Sequence, residues 1–260
     1  MIGIFDSGIG GLTVAKEIIE QLPYQIIYLG DNARIPYGTK SKTTVLKYSI
    51  ENTKFLLNQG AKLIVIACHT ASSLAEEELK RKFKIPIFGV LKPGIEEALR
   101  TTVNKKIGII GTSSTISSKA HQKLIKTLNP EIEVFSVACP LFVPLVEENW
   151  EKRPETKKIA RYYLKTLKRK QIDTLILACT HYPILSSVIS EVMGKKVKLV
   201  DPAKIIPLTL KQFLSNHPEI ESSLKKGDSH KFYFSDYPPK IPFAFQKLLS
   251  KNYKSLWKKD

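Results

Sequence analysis

Two short stretches carry side chains able to move protons. Residues 64–70 read Ile-Val-Ile-Ala-Cys-His-Thr, and residues 175–182 read Leu-Ile-Leu-Ala-Cys-Thr-His-Tyr. In each, an apolar run ends in Ala-Cys and then meets hydroxyl and imidazole groups. A thiol at the end of a buried strand and the start of a helix sees free N–H groups and the positive end of the helix dipole. Both favour thiolate. A single cysteine so placed is also read as a small core hydrophobe, but two in matched contexts point to chemistry. Two thiols approaching one carbon from opposite sides suit proton exchange. One removes a proton from one face, the other returns a proton to the opposite face, and the configuration inverts. Two alternatives stay open at this point. One is a zinc site, although Cys68-His69 and Cys179-x-His181 lack the usual close ligand pairs. The other is a single cysteine nucleophile with His181 as its base. Cys139, followed by Pro140 and apolar residues, reads as structural.

Other groups belong with these. Residues 5–14, Phe-Asp-Ser-Gly-Ile-Gly-Gly-Leu-Thr-Val, form a glycine loop ahead of a helix. The loop allows close backbone approach to a ligand, and the helix start offers N–H groups to an anion. The spacing fits neither the dinucleotide fingerprint nor the phosphate-binding P-loop. Asp6 reads equally as a turn-ordering residue or a catalytic one. His181 reads as a capping residue or as a proton relay paired with a carboxylate, for which Glu147 and Glu148 are the neighbours in "LVEENW".

The elements that must position these residues alternate. Apolar runs at 2–5, 25–29, 62–67, 106–110, 133–137, 174–178 and 197–200 have the length and the Ile/Leu/Val content of strands buried on both faces of a parallel sheet. Amphipathic helices are predicted between them, at 41–60 ending on Gly60 and at 154–170 beginning with Pro154. In each half a strand ends in a small-residue loop, and a later strand ends in Ala-Cys. The pattern predicts an α/β fold of two pseudo-symmetric lobes, each a mainly parallel sheet flanked by helices, with the active site in the cleft between them. The expected lobes are residues 1–92 with 207–260, and residues 93–206.

Composition narrows the class. The chain has 260 residues, with 25% charged and 43% hydrophobic. Those shares are ordinary for a globular protein. Three well-separated cysteines and no secretory leader at Met1-Ile2-Gly3 predict reduced thiols and a cytoplasmic setting. The apolar runs are too short to cross a membrane. The net charge of +17 suggests a polyanion partner. However, the lysines are scattered, apart from short clusters such as Lys168-Arg169-Lys170 and Lys258-Lys259, and no nucleic-acid motif accompanies them. Nucleic acid is therefore not expected as a partner.

Together "GIFDSGIGGLTV", "YLGDNARIPYG", "ACHTAS", "IGIIGTSST", "ACPLFVPLVEE" and "ACTHYPIL" resemble glutamate racemase, a cofactor-independent bacterial family that makes D-glutamate for peptidoglycan, and hence for cell-wall biogenesis and cell shape. The motifs run in the family's order over residues 3 to about 185, with "VDPA" at 200–203 a looser fit. The resemblance implies an isomerase with no cofactor and no metal, acting on glutamate. Cys68 and Cys179 would be its acid/base pair, Asp6 assisting Cys68, and Glu147 and His181 assisting Cys179. It implies substrate contacts at Ser7, Pro36, Tyr37, Gly38, His69, Thr70, Thr112, Thr115 and Thr180, and it leaves a homodimer open. The chain departs from the family pattern at His69, where Asn is usual, and at Asn149 and Ala178, where Gly is more frequent. Imidazole is bulkier than the amide and offers no carbonyl, so His69 reads either as a tolerated change or as one that alters turnover or side-chain preference. Aspartate is the alternative substrate.

Overall fold

The computed structural model describes residues 1–236, residue 249 and the strand at 255–257; the Lys258-Lys259 cluster lies outside them. The chain forms two compact units, Met1–Val90 together with the segment from Ala203 onward, and Leu91–Pro202.

The first unit contains β1 (Ile2–Asp6), α1 (Leu12–Gln21), β2 (Ile26–Gly30), α2 (Lys42–Asn58), β3 (Leu63–Ile66), α3 (His69–Lys82) and β4 (Ile87–Gly89). The second contains α4 (Leu91–Thr101), β5 (Lys106–Gly111), α5 (Ser113–Ser117), α6 (Ala120–Leu128), β6 (Glu133–Ala138), α7 (Phe142–Glu147), α8 (Pro154–Arg169), β7 (Thr174–Ala178), α9 (Ser186–Met193) and β8 (Lys198–Val200). The first unit then resumes with α10 (Ile206–Ser215), α11 (Pro218–Ser223), β9 (Lys231–Phe234) and β10 (Ser255–Trp257).

Both sheets are parallel among the described residues, in the orders β10-β9-β2-β1-β3-β4 and β6-β5-β7-β8. The predicted α/β architecture is the observed one. Strand side chains alternate between two cores, which is why the runs look continuously apolar in sequence. In the first sheet Ile2, Ile4, Leu63 and Val65 pack with α1 and α10, whereas Phe5, Ile64 and Ile66 pack with α2 and α3. In the second, Ile110, Leu175 and Leu177 pack with α7, α8 and α9, whereas Ile109, Ile176 and Ala178 pack with α4 and α6.

Helix boundaries follow local chemistry. Ser41 caps α2, its hydroxyl oxygen accepting the Thr44 amide at 3.3 Å. Such a side chain satisfies one of the free N–H groups of the first turn. Gly60, just beyond the end of α2, has φ +94, a conformation that suits glycine. Pro154 opens α8, where its missing N–H costs nothing.

The turn after β1 is closely packed. A Cβ on Gly11 would stand 2.3 Å from the Asp6 Cβ and 2.9 Å from the Tyr28 hydroxyl. Gly11→Ala is expected to lower stability by about 1–3 kcal/mol, the usual cost of overpacking. Denaturant unfolding checks this, and an unchanged midpoint would show that the turn has room to give.

Candidate functional site

Each unit gathers expected site residues at the C-terminal ends of its central strands. In the first, β1 pairs with β2 on one side and β3 on the other. Phe5 is in register with Ile66, and the Ala67 amide donates to the Phe5 carbonyl at 2.9 Å. Asp6, Ser7 and Cys68 therefore emerge together. Cys68 occupies the N-cap position of α3, and its thiol lies 3.7 Å from the Ser7 hydroxyl. His69 and Thr70 are the first residues of that helix and are buried. Cys68 thus stands where β3 ends and α3 begins, with His69 as the first residue of the helix. Among the described residues no cluster of three or more His, Cys, Asp or Glu is arranged to hold a metal ion.

Asp6 is fully buried and accepts the Gly8 amide at 3.0 Å. Tyr28 donates its hydroxyl to the Gly8 carbonyl at 2.6 Å. Burial, with the charges of Asp6 and Cys68, holds that phenol well above its usual pKa, so it remains a donor. The glycine loop is thereby fastened at both its amide and its carbonyl.

Pro36, Tyr37 and Gly38 follow β2 and are held by a polar network that sequence reading did not assign. Asp31, fully buried, accepts Arg34 Nε at 2.9 and 2.7 Å, Ser235 Oγ at 2.8 Å and the Tyr37 hydroxyl. Asn52 on α2 donates to the Tyr37 oxygen at 3.1 Å and accepts Arg34 Nη2 at 3.0 Å. Burial first, and then Asp31, keeps Tyr37 protonated far into the alkaline range. The Ile35–Pro36 bond is cis. Asp31 and Arg34 stand inside the "YLGDNARIPYG" motif, but Asn52 and Ser235 are distant in sequence and give no local signal.

In the second unit β5 lies between β6 and β7, with Gly111 in register with Ala178 on one side and Ala138 on the other. Thr112, Cys139 and Cys179 follow directly. Thr112 caps α5, its Oγ1 lying 2.9 Å from the Thr115 hydroxyl and accepting the Thr115 amide at 3.4 Å. Cys179 and Thr180 are buried. The element after β7 begins as a 3-10 turn, Tyr182–Leu185, before α9, and His181 stands at its N-cap. The tighter turn brings His181 Nδ1 to 4.0 Å from Cys179 Sγ, while Nε2 lies 3.2 Å from Glu147 Oε1 at the end of α7. Burial opposes a charge on this ring, yet its hydrogen bonds to Cys179 and Glu147, and their charges, lift His181 to about 10.

Cys139 differs. It is fully buried, burial and the neighbouring Cys179 push its thiol well above the ordinary range, and its carbonyl accepts Tyr182 Oη at 2.9 Å.

Known proteins resemble this chain in both sequence and fold. The Asp/Glu/Hydantoin racemase family matches residues 3–206. A glutamate racemase from Geobacter metallireducens is 48% identical over 238 residues, covering 91% of this chain and 88% of that protein. The glutamate racemase isoform RacE1 from Bacillus anthracis has a solved structure that superposes with a TM-score of 0.94 at 34% identity, covering 100% of this chain and 97% of that one. The Francisella tularensis glutamate racemase, solved in complex with D-glutamate, superposes at 0.89 with 37% identity, over 99% of this chain and 95% of that one. With the match spanning both Ala-Cys strand ends and the glycine loop, this chain belongs to the Asp/Glu/Hydantoin racemase family.

Proposed function

We propose that the chain is a cofactor-independent glutamate racemase, interconverting L- and D-glutamate by two-base proton transfer at the α carbon. It would act in the cytoplasm and supply D-glutamate for peptidoglycan. Among the described residues no helix is long and apolar enough to cross a membrane. The observation that carries the reading is the chain Cys179–His181–Glu147, a thiol, an imidazole and a carboxylate in hydrogen-bond sequence beside a parallel strand end.

In this reading Cys68 takes the α proton of D-glutamate and Cys179 that of L-glutamate. At the start of each turnover one sulfur is thiolate and the other thiol. His181, held charged, stabilises the Cys179 thiolate and can return a proton to it, while Glu147 fixes the ring. Asp6, anchored by the Gly8 amide, serves the Cys68 side. Ser7, Pro36, Tyr37, Gly38, His69, Thr70, Thr112, Thr115 and Thr180 supply contacts to the substrate's polar groups, and N–H and O–H dipoles offset the charge that builds on its carboxylate as the proton leaves.

L-Glutamate incubated with the enzyme in heavy water is expected to yield D-glutamate carrying deuterium at Cα. Cys68→Ser and Cys179→Ser should each lower racemisation by about 10²–10⁴-fold or more, the span of general acid–base contributions. Near-normal turnover in either variant would dismiss the two-base assignment.

The raised pKa of His181 has a defined sign. Its folded value lies above the unfolded one near 6.5, so the stability held by the charged ring is complete below about pH 6.5 and is lost as pH rises toward 10. Glu147→Gln removes one charge supporting the ring. Thermal unfolding across that window should decline less steeply in the variant, and the alkaline limb of its kcat profile should move to lower pH. Superimposable profiles would remove Glu147 from the relay.

His69, buried in the first turn of α3, is read as tolerated. His69→Asn is expected to keep glutamate racemisation within about tenfold of wild type in kcat/KM. A substrate panel including aspartate checks this. Preferential turnover of aspartate by wild type, reversed in the variant, would make residue 69 a specificity determinant.

A further inference from the structure

Helix α8 carries a ladder of positive charge along one edge. Lys157, Arg161, Lys165 and Arg169 recur every four residues of the helix. At the rise of an α-helix, successive members stand about 6 Å apart along the axis. With Lys168 they line a groove of about 470 Å³ whose other wall is Glu191 and Val192 of α9. Two of these cations are engaged from within. Lys157 forms an ion pair with Glu191, and Lys168 Nζ donates to the Val192 carbonyl at 3.2 Å. Arg161, Lys165 and Arg169 are exposed and form no ion pair among the described residues.

Helices α1, α3 and α4 instead pair a cation with a carboxylate three or four residues away, as in Lys16–Glu20, Lys80–Glu76, Lys92–Glu96 and Arg100–Glu97. On α8 like charges follow one another at the same spacing, which disfavours the helix by itself. An anion bridging the rungs would reverse the sign of that term.

We propose that this groove binds an oligophosphate anion, a linear run of three or more phosphoryl groups. The guanidinium groups of Arg161 and Arg169 match phosphate oxygens in pairs, and Lys165 between them supplies a compact charge. From Arg161 to Arg169 the row covers about 12 Å, longer than one phosphate needs. The concave shape and the volume suit a small ligand rather than a flat membrane surface. The chain is either inorganic or the tail of a nucleotide. Tyr162, beside Arg161 on the same helix, is 80% exposed. Its ring offers a face on which a base could stack.

Calorimetry on the full chain at physiological salt is the test, with inorganic tripolyphosphate, orthophosphate, a nucleoside triphosphate and a single-stranded oligonucleotide as probes. Tripolyphosphate is expected to bind saturably, one per chain, and more tightly than orthophosphate. Arg161→Ala, Lys165→Ala and Arg169→Ala should each weaken it by about tenfold or more, with thermal stability undiminished and glutamate racemisation unchanged. Lys195→Ala removes an equal charge outside the groove and should leave binding intact. Tighter binding of the nucleoside triphosphate, lost in Tyr162→Ala, would assign a nucleotide as the source, and equal binding would assign the inorganic chain. The proposal is overturned if Lys195→Ala weakens binding as much as the groove variants, if orthophosphate binds equally well, or if the oligonucleotide binds more tightly with a steep salt dependence.

Discussion

The site depends on the register of parallel strands where their order reverses. The chain leaves β1 for β2 on one side and later returns to β3 on the other, so α1 and α3 pack on opposite faces of the sheet. Loops that diverge in this way leave a crevice outside the strand ends, and parallel sheets bind ligands there. The second unit repeats the arrangement with β5, β6 and β7. In-register pairing of Phe5 with Ile66, and of Gly111 with Ala178, brings Cys68 out opposite Ser7 and Cys179 out opposite Thr112. A slip of one residue would send each thiol to the opposite face.

Electrostatics then separates groups that burial alone would treat alike. Tyr28, Tyr37 and Cys139 are buried beside negative or potentially negative groups, and both influences keep their protons on. They are fixed donors or inert packing. His181 is as deeply buried, but a thiol on one nitrogen and a carboxylate on the other reverse the outcome and keep it charged. One imidazole between two acidic partners can therefore hold a proton next to sulfur at neutral pH. Cys139, whose sulfur meets the Val137 carbonyl at 3.8 Å, stays a thiol.

Much of this was legible in the residues. Strands buried on both faces leave long apolar runs, and the seven read from sequence all form. Missed elements had weaker signatures. β4 is three residues long, and Lys231 to Phe234 in β9 alternates between half-buried and buried positions instead of forming an unbroken apolar run. Among the candidate residues, those at strand ends stand out in the sequence because type and position coincide there. The Asp31 network was not, because its meaning lies in contacts: Asp31 is an ordinary loop residue until Arg34, Tyr37 and Ser235 converge on it. The charge ladder on α8 was hidden for a related reason. Counted along the chain the lysines and arginines look dispersed, and only a four-residue period aligns Lys157, Arg161, Lys165 and Arg169.

The departures from the family pattern show what the fold requires at each position. Asn149 has φ +56, in the left-handed region where glycine rests without strain and where asparagine is among the few other residues commonly found. Glycine at this point in the pattern therefore records a backbone requirement that asparagine also meets. The turn closes normally, the Asn149 amide donating to the Val146 carbonyl at 3.0 Å and the Glu148 amide to the Pro144 carbonyl at 2.9 Å. Because that turn follows Glu147 directly, its preservation leaves the carboxylate within reach of His181. Ala178 is buried in β7 next to Gly111, where a single methyl is accommodated. His69 is of another kind. Buried in the first turn of α3 beside Cys68, it replaces an amide with an imidazole, which donates but has no carbonyl.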